Sequence, residues 1–475
     1  MPLILPGNSG SATAATGFNV ANSGRFNDAS PDILKNGTES DGNRKVWTIS
    51  MWIKRSKLGV RQSLWSWGSN SSSTGEMYID ANDFLVLNND NQQGSSNEVA
   101  GQLLDVSAWY HIVWRCDVTE TNNIDRWRCY INGVQRTLTD AATVSNADGE
   151  INKNGTHQNW IGGAARSLQS GNPIYPFGGY IAEAIFVDGT ALAPTSFGEF
   201  SDDGIWKPIE IDLTFGDEGV YLNFENAAEL GTDVSGNGNT YAETGLTAAN
   251  QSIDTCTNNF NTLNPLAKRP AANGTIAEGN LQYTASTGDS SIFGTMAISP
   301  GMKVYFEVKL VSNTAQNAIG IHNVYDPGGT FVKGGSASGM YSFKPRGSAS
   351  VTQYFNNGSS TDTGTSNYAN DTIIGVAVDN ANGQIHYHAA GTYINSSDPT
   401  DNDPVALVTG FGGASEQYLH FSLDTTGTQP SNQFNFGSPP YSESGGNSDG
   451  NGYGNFNQSV PSGYLALCSK NISST

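Results

Sequence analysis

The stretch from Asn370 to Ile394, NDTIIGVAVDNANGQIHYHAAGTYI, leaves a chain few ways to fold. Between Ile373 and Val378 both alternating sets are apolar or small: Ile373, Gly375 and Ala377 on one side, Ile374, Val376 and Val378 on the other. Such a strand needs cover on both faces. Asp379–Gly383 then breaks it, because Asn382-Gly383 tolerates the positive φ of a hairpin turn. Beyond the turn, Ile385, Tyr387 and Ala389 alternate with Gln384, His386 and His388, so the return strand is expected to have one dry and one wet face. The histidines of that wet face read as an exposed pair, since nothing nearby completes a metal site. The whole unit is a hairpin inside a β-sandwich.

Composition extends this to the rest of the 475 residues, a length that suits two or three domains. The chain has 56 Gly, 10% aromatic and only 14% charged residues, which favours short strands joined by polar turns over helices. A net charge of -21 repels phosphate backbones and anionic bilayers, so neither nucleic-acid binding nor membrane insertion is expected. No apolar run is long enough to span a bilayer. Met1–Pro6 lacks the basic start and the length of a secretion signal, so no classical export route is expected.

The hairpin resembles the signature of the SPRY (B30.2-type) domain, a D-x-I-G-V-x-x-D strand followed by a turn and an aromatic return strand. Gly301–Val308 (GMKVYFEV), Ile319-Gly320-Ile321, Phe434-Asn435-Phe436-Gly437 and Pro461–Leu467 are similar to its other strands. The resemblance runs from about Leu281 to Asn471. One departure is Ala389-Ala390-Gly391, where the family commonly has N-G, so binding properties tied to that loop do not transfer.

Upstream, strands read at Val46–Arg55, Met77–Asp80, Phe84–Asn88, Trp109–Cys116, Arg126–Asn132, Asn159–Gly162 and Ile181–Asp188, an all-β sandwich pattern. The segments TISMWIKR, WYHIVW, RCYINGV and GYIAEAIFVDGTAL resemble the laminin-G-like (concanavalin A-like) fold of lectins and glucanases. The fold class is therefore all-β, a concanavalin A-like jelly roll followed by a SPRY-like sandwich. The expected divisions are an N-terminal arm over 1–17, the first sandwich over 18–257, a linker over 258–280 and the second sandwich over 281–475. Ser442–Asn457, rich in Gly, Asn and Ser, reads as a rim loop or a mobile insertion.

Candidate sites are few. A hairpin centred near Asn122-Asn123 sets Cys116 opposite Cys129 and Trp114 opposite Ile131, and the two thiols are either bridged or reduced in the core. Trp65 and Trp67, flanked by Ser and Gly, are the rings best suited to stack on a sugar; the alternative places them in the core. Asp233, Ser235 and Asn237, with Gly238 next, repeat the oxygen spacing of a calcium loop, but position 12 is Thr244 rather than a bidentate Glu. Calcium is thus the one ion considered, and no other cofactor is expected. Glu210-Ile211-Asp212 resembles the carboxylate strand of laminarinase-type enzymes, yet Thr214 and Phe215 stand where the second Glu belongs, so no catalytic residue is assigned and no enzyme is expected.

Two recognition folds in series, without a catalytic constellation, imply a binding and structural protein. The pairing is similar to virion proteins of marine tailed bacteriophages: tail fibres, tail-associated receptor binders or capsid appendages. The resemblance implies assembly in the host cytoplasm, location in the virion, other virion proteins and a host surface glycan or protein as partners, and self-association. The alternatives are a polysaccharide-degrading enzyme and a bacterial surface adhesin.

Overall fold

The computed structural model describes residues 17–29, 32–37, 42–70, 73–89, 97–149, 151, 157–164, 174–269, 274–285, 290–314, 316–326, 338–346, 351–400, 408–412, 415–423, 429–442 and 445–472. Nearly all of the expected N-terminal arm lies outside them. The chain divides between Thr257 and Asn258 into two units, each built from two main sheets, almost wholly antiparallel, around its own apolar core.

In the first unit one sheet runs in the order Val134–Arg136, Trp127–Ile131, Trp109–Asp117, Val46–Arg55, Gly179–Asp188, Ser23–Phe26, Gln251–Ser252, and Val220–Leu222 also pairs with Gly179–Asp188. The facing sheet runs Ala242–Thr244, Ile33–Lys35, Gln158–Ile161, Gln62–Asn70, Ser73–Ile79, Phe84–Asn89, Asn97–Gln102. Period-2 alternation sends Trp47, Ile49, Met51 and Ile53 into the space between them, where they meet Trp65, Trp67, Ile112 and Trp114. The opposite face of Val46–Arg55 is covered as well. Trp52, Trp109, Tyr180 and Trp206 form a second apolar layer there, and Val113, Ile185, Phe197 and Phe215 a third cluster. Within that layer Lys54 Nζ lies 2.7 Å from Asp254 Oδ2, both side chains 1% exposed. Trp109 Nε1 donates to the other Asp254 oxygen at 3.1 Å, so the buried pair keeps its hydrogen bonds.

The expected pairing of the two cysteines is displaced by one cross-strand step. Cys116 faces Trp127 and Trp114 faces Cys129, because a helical turn at Asn123–Arg126 moves the centre of the hairpin toward the N-terminus. Arg126 holds that turn, donating to the carbonyls of Glu120 and Val144. All four cysteines are free thiols, and burial pushes Cys129 up to about 12.

In the second unit the sheets run Leu263–Lys268, Ser290–Ile298, Gln417–Leu423, Asn317–His322, Met340–Arg346, Val351–Asn356, Ser359–Ser366, and Thr275–Ala277, Gln282–Thr284, Ser431–Asn435, Lys303–Ser312, Ile373–Asp379, Gln384–Ala389, Thr392–Tyr393. The described residues of 258–280 do not read as a linker. Phe260 and Leu263 are buried, and Leu263–Lys268 pairs with Ser290–Ile298, because these apolar residues extend the sheet rather than leave it.

The hairpin is present as read, with Val378 opposite Ile385 and Gly383 at φ 67. Its wet face is not. His386 and His388 are buried, as are Ile385 and Tyr387. Tyr305 Oη sits 2.8 Å from His388 Nε2, and Glu307 on the same strand as Tyr305 accepts from the Asn457 and Gln458 N–H groups at 2.9 and 2.8 Å. Those bonds draw the Gly- and Asn-rich stretch over the face that the sequence assigned to solvent. Within that stretch Phe456 is fully buried against Tyr305, and Asp449 caps the backbone N–H groups of Asn451, Tyr453 and Ala466. Its described residues are therefore built into the sandwich.

Candidate functional site

Trp65 and Trp67 are fully buried and offer no ring to a sugar. Trp47, Trp67 and Trp114 make a mutual cluster with centroid separations of 4.8 to 5.7 Å, and Trp127 adds a further edge at 5.0 Å from Trp114. Gly75 opposite Trp67 is the space-maker, since a Cβ there would overlap the indole. The Ser and Gly neighbours that suggested exposure alternate with the tryptophans and point away from the core.

The Asp233 loop does not offer its oxygens to a cation. Asp233 Oδ1 accepts from the Tyr221 and Ser235 N–H groups at 3.0 and 2.9 Å, and Oδ2 accepts from Ser235 Oγ and Asn239 N at 2.8 Å each. Asn237 turns its amide NH2 to the carbonyls of Gly216 and Gly219. Thr244, the twelfth position, pairs with Ile33 in a strand. A cation would have to displace four donors for one carboxylate, so the donor set fits a turn closed by its own side chains rather than calcium. Among the described residues no group of three His, Cys, Asp or Glu side chains gathers to hold a metal. Glu210–Thr214 lies outside any strand, so its carboxylates do not share a strand face.

Glu183 belongs to the GYIAEAIFVD strand and sits in a bulge between Ala182 and Ile185 at φ 48. Tyr221 donates its hydroxyl to the carboxylate, and burial pushes the acid up to about 7. It lies under Tyr221 and is 6% exposed, which makes it a buried acid of the sheet.

A surface arrangement that sequence reasoning missed lies on the outer face of the second sheet. The Arg61 guanidinium carbon is 3.9 Å from the Tyr78 ring centroid and 4.4 Å from that of Tyr175, so the cation lies against two rings. Arg61 Nη2 donates to Glu76 Oε2 at 2.6 Å, which fixes the plane of the guanidinium. Tyr175 is 39% exposed, and its chain neighbour Ile174 is 38% exposed. Its φ of 55 is rare for a bulky side chain, and the Ser63 N–H, donating to the Tyr175 carbonyl at 2.8 Å, holds it there. The arrangement offers a half-exposed flat ring with a partly exposed guanidinium beside it, fixed from below by the buried Glu76. No sequence pattern signals it, because Arg61, Tyr78 and Tyr175 come from three separate segments.

The family model of the concanavalin A-like lectin/glucanases superfamily matches residues 33–194, within the first sandwich. No curated protein matches the chain. Among solved structures, a candidate carbohydrate-binding protein from Bacteroides ovatus is 15% identical with a TM-score of 0.34, the match covering 48% of this chain and 60% of that one, less than two thirds of its length. A heptameric SAP-like pentraxin from Limulus polyphemus is 14% identical with a TM-score of 0.27, covering 37% and 80%. The SPRY domain of human HERC1 is 13% identical with a TM-score of 0.26, covering 36% and 96%. This chain's own sheets make it an all-β protein of two sandwiches, and the superfamily model matches residues of the first.

Proposed function

We propose that this chain is a non-enzymatic, glycan-binding protein of a bacteriophage particle, and that its first sandwich holds sugar on the Tyr175 ring. The observation that carries the glycan reading is Tyr175 itself. A large aromatic kept half-exposed at positive φ, braced on a salt-bridged arginine, costs backbone strain that packing alone does not require. Its flat apolar face suits pyranose C–H groups, while the partly exposed Arg61 guanidinium suits hydroxyls. The superfamily match over residues 33–194 agrees with that use. The virion role draws on the pairing of the two sandwich types and on the acidic surface, which suits a particle exposed to solvent. Identical copies on one particle would multiply a modest affinity through effective concentration, and neighbouring virion proteins would be the other partners.

The first test is mass spectrometry of purified phage particles, which should recover this chain; its absence from particles that infect normally sinks the virion role. The second is retention on host surface polysaccharide. The wild-type protein should be retained and Tyr175→Asn should not. Release of reducing sugar from such polysaccharides would replace this reading with an enzymatic one.

A further inference from the structure

We propose that a cleft around Arg136, at the edge of the first sheet of the first sandwich, binds a carboxylate-bearing sugar residue. The cleft measures about 270 Å³ and lies between the edge strand Val134–Arg136, the helical turn Asn123–Arg126 and the short turn at Ala141–Thr143. Its walls divide by chemistry. Ile124, Leu138, Ala141 and the Trp127 side give an apolar surface, and Ile124 is 56% exposed. Gln135, Arg136 and Thr137 supply the polar lining, and no lining residue carries a carboxylate.

Arg136 sets this cleft apart. Every other described arginine has a hydrogen bond or ion pair, such as Arg126 to the Glu120 and Val144 carbonyls or Arg128 to Asp125. Among the described residues the Arg136 guanidinium has neither, and its Nε is buried without an acceptor. The two Nη groups have no partner among the described residues either, and an acceptor entering the cleft would satisfy these charged donors. The planar guanidinium matches a carboxylate in two parallel bonds. The adjoining apolar wall then suits the C–H face of a sugar ring, and the flanking Gln135 and Thr137 suit its hydroxyls. The net charge of -21 does not forbid this, because distant charges are screened beyond about 10 Å at 0.1 M salt while the guanidinium acts in contact.

The choice of a sugar rests on the proposed glycan-binding function, whereas the choice of a carboxylate rests on Arg136 alone. Calorimetry on the full chain with D-glucuronate, D-glucose and acetate separates the two. We expect glucuronate to bind about tenfold more tightly than either glucose or acetate, the size expected for hydrogen bonds to a charged group. Arg136→Gln should lose that preference, and Arg136→Lys should keep part of it. Equal binding of glucuronate and glucose, undiminished binding by Arg136→Gln, or no binding of glucuronate overturns the proposal. Acetate bound as tightly as glucuronate overturns the sugar assignment. Should Arg136→Gln fail to fold, titration of the wild-type protein followed by methyl NMR decides the same question: glucuronate must shift the Ile124 and Ala141 methyls, and unmoved methyls overturn the proposal. Loss of glucuronate binding with polysaccharide retention intact removes the cleft and leaves the Tyr175 platform standing; the reverse removes the platform alone.

Discussion

At the scale of the residue, Tyr175 sets local stability against use. Its left-handed backbone costs on the order of 1–3 kcal/mol for a non-glycine residue, while the contact with Arg61 returns about 0.5–1 kcal/mol at an exposed site. Asn tolerates that backbone through its short polar side chain. Tyr175→Asn should therefore leave the urea unfolding free energy of the first unit within about 0.5 kcal/mol of wild type, or raise it, while polysaccharide retention is lost. A loss of more than about 2 kcal/mol would mean that the ring is structural and the strain is compensated by packing. The residue scale is also where the sequence was least legible. Trp65 and Trp67 looked like ligand rings because their Ser and Gly neighbours are polar or small, but in a strand the neighbours share nothing with the face of interest. His388 looked wet because the segment that packs on its partner Tyr305 and on Glu307, around Phe456–Gln458, lies some seventy residues away in sequence. Tyr175 could not be found at all, since its partners Arg61 and Tyr78 belong to other segments and φ is not written in composition.

At the scale of the element, the glycines of the Ile-Gly strand motifs explain why those strands were readable. Gly375 and Gly320, the centres of Ile374-Gly375-Val376 and Ile319-Gly320-Ile321, are not turn residues; each marks a close approach. A Cβ on Gly375 would overlap the His388 ring on the paired strand, and one on Gly320 would overlap the Tyr341 carbonyl. The motif is thus a packing constraint, and packing constraints within one hairpin survive in the sequence. Gly375→Ala should destabilise the second unit by about 1–3 kcal/mol through overpacking, and His388 would have to leave its bond to Tyr305. Gly450→Ala, in an exposed turn with nothing near the added methyl, is the control and should shift stability by less than about 0.5 kcal/mol. Urea titration of both variants checks this, and equal midpoints would remove the argument. Pairings made across longer connections were harder to place. The strands around Cys116 and Cys129 were identified correctly, but their register depended on a helical turn that the Asn122-Asn123 signal concealed.

At the scale of the whole molecule, the two units hold different proportions of buried acids and bases, and this sets how each responds to pH. In the first unit burial lowers His111 to about 3 and raises Glu183 to about 7. His111 stays neutral between the Trp206 indole N–H, which donates to Nδ1, and Ser50. A histidine held below 6.5 contributes stability that is complete above 6.5 and is lost as pH falls toward its folded value. A glutamate raised from 4.5 does the reverse, contributing fully below 4.5 and losing that contribution as pH rises to about 7. Between 4.5 and 6.5 the two slopes oppose each other, so the first unit should change little. In the second unit burial lowers His388 to about 4 and His420 to about 3, and lowers His322 as well, while burial raises Glu307. Three histidines against one glutamate leave a net loss as pH drops below 6.5, about 1.4 kcal/mol per pH unit for each uncompensated proton. The second unit should therefore weaken first, and the first unit only below about 4.5, where Glu183 no longer opposes His111. All nine tryptophans precede Thr257, so indole emission reports the first unit alone. Hydrogen exchange of a peptide spanning Ile373–Ala389 reports the second. On going from pH 7 to pH 5 the urea midpoint from exchange should fall while that from emission stays nearly level. An emission midpoint that falls first, or two midpoints that fall together, would show that these buried groups do not govern the acid response of their own units.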